Sequence, residues 1–229
     1  MTLKIALLGA ESTGKTQLAT ALVAHLTAHG IRAVQIPEVL REWCDTQGRT
    51  PQPHEQRAIA QAQADRVNAA AENGLQNGLA YVIADTTPLM TAVYSHKLFA
   101  DESLYPFALA HQSSYDLTLL TALDLPWVAD GLQRDGPHVR EPADAMVRNA
   151  LHSAAIPYQA VYGQGLDRLE NAINAINSIA SNPIPTCRNG TKRRENRLRN
   201  YVCEKCSDPD CEHKLFTELT SQRSPIAPK

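Results

Sequence analysis

Eight residues near the amino terminus constrain the fold more tightly than anything after them. Gly9-Ala10-Glu11-Ser12-Thr13-Gly14-Lys15-Thr16 satisfies G-x-x-x-x-G-K-[ST] at every defined position. The octapeptide follows the apolar run Leu3–Leu8 directly and opens a stretch in which Leu18, Leu22 and Leu26 recur at four-residue spacing before Gly30. A strand that passes through a glycine turn straight into an amphipathic helix commits the chain to an α/β architecture. Parallel strands need crossovers of about this length, and a helix supplies them.

The same pattern carries chemistry. Glycines let backbone N–H groups curl around phosphate oxygens, and a helix N-terminus adds partial positive charge. Gly9, Ala10, Glu11, Ser12, Thr13, Gly14, Lys15, Thr16 and Gln17 therefore form the expected ATP-binding set. Lys15 is expected to reach the β- and γ-phosphates and the Thr16 hydroxyl to ligate Mg²⁺. The alternative is a chance match in a tight glycine turn, which the strand–loop–helix setting disfavours.

Periodicity extends the α/β reading to residue 180. Strands are expected at Leu3–Leu8, Ala33–Ile36, 81–84, 117–120 and Gln159–Val161. Helices are expected at 54–72, Pro88–Phe99, 141–155 and 166–179, besides the one after the glycine loop. Together they imply a mostly parallel sheet covered on both faces. Ser181-Asn182-Pro183-Ile184-Pro185-Thr186 reads as a linker, dividing residues 1–182 from a tail over 183–229. Lys and Arg number 22 against 24 Asp and Glu, a formal charge of −2 that excludes a chain built throughout to coat nucleic acid or anionic lipid. Nothing approaches the roughly 20 apolar residues of a membrane span. The opening apolar run is too short for a signal-peptide core, so a cytoplasmic protein with no membrane partner is expected.

Three further segments fit a ligand crevice. Asp85 emerges at the carboxyl end of the buried run Tyr81-Val82-Ile83-Ala84, where ligands bind in open α/β sheets and where an acid could hold the metal. The lesser alternative is a cap on the helix at Pro88, and the two are compatible because Thr87 is available for that. Glu38 follows the second strand, with Arg41 three residues along on the same helical face. The pair suits a base or orienting carboxylate beside an acceptor hydroxyl, or else a solvated helix start with an i,i+3 ion pair. The glycine-broken stretch after the fourth strand leads through Arg134, Arg140 and Arg148 into a helix. It fits a lid over the nucleotide, with Arg134 as the favoured lid cation.

Taken in order, Gly-Ala-Glu-Ser-Thr-Gly-Lys-Thr, Pro37-Glu38-x-x-Arg41-Glu42, Ile83-Ala84-Asp85-Thr86 and Trp127-Val128-x-Asp130-Gly131-Leu132-x-Arg134 resemble the kinase domain of NadR-type ribosylnicotinamide kinases. More broadly, they are similar to the NadR-like AAA-type ATPase group. The likeness covers roughly residues 2–180. It implies a P-loop kinase fold with a five-stranded parallel sheet, and transfer of the γ-phosphoryl of ATP to the 5′-hydroxyl of nicotinamide riboside. By the same resemblance, Lys15, Glu38, Asp85 and Arg134 are the catalytic set. Glu38, Arg41, Asp85, Trp127 and Asp130 are implied as acceptor and lid contacts. Where the family reads closer to Asp-Thr-Asp, this chain has Asp85-Thr86-Thr87.

The tail has a chemistry of its own. Cys203, Cys206, Cys211 and His213 read C-x2-C-x4-C-x-H, a set able to hold a structural zinc as Cys₃His; an iron–sulfur or redox role, or unliganded thiols, are the alternatives. Ahead of it, Arg188, Lys192, Arg193, Arg194, Arg197 and Arg199 face only Glu195, which admits a nucleic-acid partner. Scarce aromatics favour a solvated basic face instead. Two functions are thus open. The favoured one is a small-molecule kinase. The other is an ATPase or nucleotide-switched regulator whose tail contacts a partner.

Overall fold

Each of the five apolar runs folds as a strand in the computed structural model, which describes residues 2–128 and 137–187. The described residues belong to one unit that ends at Cys187. In chain order the elements are β1 (Leu3–Leu8), α1 (Lys15–Ala28), β2 (Ala33–Ile36), α2 (Val39–Gln47), α3 (Gln56–Asn77), β3 (Tyr81–Asp85), α4 (Pro88–Phe99), α5 (Tyr105–Gln112), β4 (Leu117–Thr121), α6 (Arg140–Ser153), β5 (Gln159–Val161) and α7 (Gly165–Asn177). All strand pairs are parallel, in the order β2-β3-β1-β4-β5. β1 is central because both of its edges are paired, Leu7 opposite Asp85 on one side and Leu119 on the other.

Period-2 alternation decides which helix covers which face. Ile5, Leu7, Ile83 and Leu119 point to the face where Leu18, Leu22 and Leu26 of α1 meet Leu169, Ile173 and Ile176 of α7. Leu8 and Leu120 point the other way, to Leu89 and Val93 of α4 and Val147 and Leu151 of α6. Ala6, Val82 and Ala84 pack with Val67 of α3. Buried on both faces, β3 and β4 read as continuous runs rather than alternating ones.

Some boundaries differ from expectation for local reasons. β3 and β4 each run one residue further, since pairing continues to Asp85 and Thr121. α3 starts after a short 3₁₀ turn, Pro53–Glu55, capped reciprocally by Gln52 and Glu55, and runs on to Asn77 before Gly78 turns left-handed. α5 was not expected. It is a single eight-residue helix whose buried face includes His111 and Gln112, so no apolar period marks it. The segment after α7 is not a free linker as far as Cys187. Ile184 is 2% exposed in the α1–α7 core, and the Asn177 side chain exchanges two hydrogen bonds with its backbone (3.0 and 2.7 Å). Among the described residues no helix is long and apolar enough to cross a membrane.

His111 links this packing to pH. Burial, with the Lys4 ammonium of β1 next in weight, pushes its imidazole down to about 4, while Asp65 of α3 pulls the other way. Its ring meets Tyr115 edge-on at 5.3 Å, and Tyr115 in turn lies under Lys4. A neutral imidazole in the folded state and a pKa of about 6.5 in the unfolded chain mean that protons favour unfolding. Stability should therefore fall as pH drops from about 6.5 towards 4, by about 3 kcal/mol at full titration. His111→Phe keeps the ring contact and removes the proton. Its denaturation free energy should be flatter over that window, and an unchanged slope would contradict the assignment.

Candidate phosphate-loop site

β1 ends at Leu8 and the loop begins at Gly9, with φ +146°, a conformation that side chains resist. A Cβ there would lie 2.0 Å from the Thr121 hydroxyl, so β4 approaches the loop too closely for any other residue. The Thr13 hydroxyl donates to Ala10 O (2.8 Å) and accepts from the Thr121 hydroxyl (2.7 Å), which also lies 3.0 Å from Leu8 O. The loop is thus closed on itself and fastened to the end of β4. Gly14, with φ +73°, is the N-cap of α1, and no side chain caps that helix. Its first amides are the kind of uncapped N–H groups that bind anions. The Lys15 ammonium folds back over the loop, donating to Gly9 O and Ala10 O at 2.8 Å each.

Two carboxylates belong to the same electrostatic field. Glu38 is the N-cap of α2, and its helix is seated by Val39 N–H donating to Gln63 Oε1 of α3 (2.8 Å). Burial, with the Asp85 charge adding, pushes the Glu38 carboxyl up. The Lys15 and Arg41 charges pull it back without cancelling that rise. Arg41 Nε sits 3.6 Å from Glu38 Oε2. Asp85 is 1% exposed at the end of β3, and its Oδ1 has no hydrogen-bond partner within the protein. Thr86 follows with φ +73°, its N–H donating to Leu7 O (3.1 Å). Thr87 caps α4, accepting from Leu89 N–H (3.3 Å), so Asp85 is spared the capping task.

The segment after β4 docks on the loop from the other side. The Ser12 hydroxyl donates to Val128 O (2.7 Å), and Val128 N–H lies 3.3 Å from Ser12 Oγ. Neighbouring Trp127 is half-buried, with an indole Nε1 that has no partner. Asp130 and Arg134 lie outside the described residues, as do Cys203, Cys206, Cys211, His213 and the basic run from Arg188. Arg140 is buried and donates to Leu123 O (3.3 Å). Arg148 is committed to Asp144 (2.7 Å) and to Tyr158. Among the described residues, no three His, Cys, Asp or Glu side chains group as metal ligands would.

Two residues behind the loop escaped sequence reasoning. Arg168 holds it through Thr13 O and Asp124 in turn pairs with Arg168, and neither belongs to a motif. Arg168 reads as one more charge in an amphipathic helix, separated from its loop partner Thr13 by 155 positions.

A parallel sheet with a strand–glycine-loop–helix at its centre, an inturned lysine and a buried acid at the end of the neighbouring strand defines a P-loop nucleotide-binding domain. Residues 4–168 match AAA_28, an AAA domain family, and the chain belongs to it. No curated protein matches the chain. Among solved structures, NadR protein in complex with NAD and AMP-PNP has a TM-score of 0.63 at 20% identity, covering 82% of this chain and 52% of that one. NadR protein in complex with NR gives 0.65 at 18%, with the same coverage. The five-stranded P-loop kinase-like fold is shared, and the chain spans about half the length of those proteins.

Proposed function

We propose that this protein is an ATP-dependent small-molecule kinase that phosphorylates a hydroxyl of a nucleoside or riboside, with nicotinamide riboside the first candidate. The observation that carries the proposal is the largely covered Glu38 carboxyl, which feels the charges of both Lys15 and the buried Asp85. A plain nucleotide switch needs one acid at a strand end. A second acid with a raised pKa suits a base for an acceptor. The complexes of NadR protein with AMP-PNP and with NR agree with this choice of ligands.

In this reading the loop amides and Lys15 hold the β- and γ-phosphates, and Glu38 orients the acceptor hydroxyl and takes its proton. A new O–P bond forms as the bond from the γ-phosphorus to the bridging oxygen breaks, and ADP leaves with that bond's electrons. Arg41 keeps Glu38 turned inward, while Trp127, Asp130 and Arg134 would close the site. Thr16 and the unpartnered Asp85 Oδ1 are hard oxygen donors of the kind Mg²⁺ takes. Bound there, the ion would offset phosphate charge. The tail is proposed to hold one structural zinc through Cys203, Cys206, Cys211 and His213. Elemental analysis should find about one zinc per chain, lost in Cys206→Ser, and metal-free folded protein would sink that assignment.

Product analysis after incubation with ATP and nicotinamide riboside tests the kinase reading. Phosphate release at one rate with or without the riboside, and no phosphorylated riboside, would defeat it in favour of an ATPase or switch. Glu38→Gln should lower kcat by about 10²- to 10⁴-fold with ATP affinity little changed. In the wild type the acidic limb of the rate profile should lie above the ordinary glutamate range, since the base works only when deprotonated and its pKa is raised. The variant should lose that limb. A loss confined to ATP binding would remove Glu38 from the acceptor side.

A further inference from the structure

Arg168 stands in the first turn of α7, and its guanidinium is nearly inaccessible to solvent, with the side chain 5% exposed. It joins three segments that are far apart in sequence. One nitrogen donates to Asp124 Oδ1 (2.9 Å) and to Gly163 O (2.8 Å); the other donates to Thr13 O (2.7 Å) and, more weakly, to Ala122 O (3.4 Å). Asp124 completes the arrangement by accepting from Gly163 N–H through its other oxygen (2.5 Å). Both terminal nitrogens of this buried cation are engaged, by one carboxylate and three carbonyls, while Nε has no partner and the Asp124 charge is shared with Arg140.

The bond to Thr13 matters most. A trans peptide is planar, so the carbonyl of one residue and the N–H of the next point in opposite directions. Holding Thr13 O towards the core turns the Gly14 N–H away from it, to the side where the loop would meet a phosphate. Gly14 has a left-handed backbone and no Cβ, so its peptide plane has little of its own to fix it. Thr13 is anchored through its hydroxyl as well, to Ala10 O and Thr121. The side-chain anchor sets where the residue sits. The guanidinium sets how its peptide is turned.

We infer that Arg168 is the positioning residue of the phosphate loop, orienting the Thr13–Gly14 peptide for a nucleotide's phosphates and tying that loop to the segments after β4 and β5. The inference rests on the ATP-binding reading above and adds a residue that acts through the loop without touching substrate. Without the guanidinium, the peptide can rotate and the loop must be reordered at each binding event. Affinity for phosphates then falls even where the fold survives.

The test is ATP affinity by titration calorimetry with Mg²⁺ present, at a temperature well below the melting point of each protein, for wild type, Arg168→Gln and Arg168→Lys. Arg168→Gln should bind ATP about 10- to 100-fold more weakly. Arg168→Lys keeps the charge and one donor towards Thr13 O, so it should recover part of the loss. A purely structural arginine would lower the melting temperature and leave Kd unmoved. Wild-type Kd in folded variants therefore overturns the inference. Should Arg168→Gln fail to fold, Arg168→Lys decides alone, with an unchanged Kd again overturning it. A wild-type protein that binds no ATP would overturn this inference together with the nucleotide reading, whereas ATP binding without riboside phosphorylation leaves the positioning role standing.

Discussion

Lys15→Ala is expected to lower phosphoryl transfer by at least about 10²- to 10³-fold, the scale of removing one donor to a developing anion. The side chain's partners are the loop's own carbonyls, Gly9 O and Ala10 O, so the cost to the fold should stay near the ~1–2 kcal/mol of two partly exposed hydrogen bonds. A second consequence sets the variant apart from simple damage. The Lys15 charge holds down the Glu38 pKa, so its removal should push that carboxyl further up and move the acidic limb of residual activity to higher pH. Activity assays over pH, alongside a melting curve, check both. A fully active variant would refute the assignment of the loop.

Gly9→Ala should be among the most damaging single changes in the molecule, although it adds only one methyl group. The new Cβ would fall 2.0 Å from Thr121 Oγ1, 3.0 Å from Thr13 Oγ1 and 3.1 Å from Thr121 O. The last of these is backbone at the end of β4, where Thr121 is still paired with Val161, and it cannot swing away. The φ of +146° adds strain that every L side chain feels. Overpacking and backbone strain together give about 3–5 kcal/mol, a melting-temperature fall on the order of 10 °C for a chain of this size. To relieve the clash the Thr121–Thr13 bond must open, so the loop should also lose phosphate affinity. Thermal unfolding with and without ATP measures both, and a variant that melts like the wild type would contradict the close approach of β4.

Much of the framework is legible in the chain because its signals are local. Leu3–Leu8, the glycine loop and the Leu18, Leu22, Leu26 stripe name a strand, a turn and a helix from within one window of residues. The runs that became β3 and β4 announce burial on both faces. Asp85 and Glu38 could be placed at strand ends from the same patterning. Their depth could not. The alternative of Asp85 as a cap falls away only when Thr87 is seen performing that role, and its unpartnered oxygen is visible only in the fold. α5 stayed hidden because a helix with buried His111 and Gln112 carries no apolar rhythm. Gln112 is at home there because it accepts from Thr87 and donates to Thr118, partners the sequence does not bring near it.

The one-dimensional pattern of apolar runs and glycines settled that this chain makes a parallel α/β sheet with a phosphate loop after its first strand, because backbone conformation and burial are set by neighbours a few residues apart. Only folding decided that Thr121 would forbid a side chain at Gly9, that Asp85 and Glu38 would share one field with Lys15, and that Arg168 would reach across 155 positions to turn the loop's peptide. Those relations depend on which strands pair and which helix covers which face. Hydrogen bonds and charges act over a few ångströms of space whatever the distance along the chain, and so no local pattern records them.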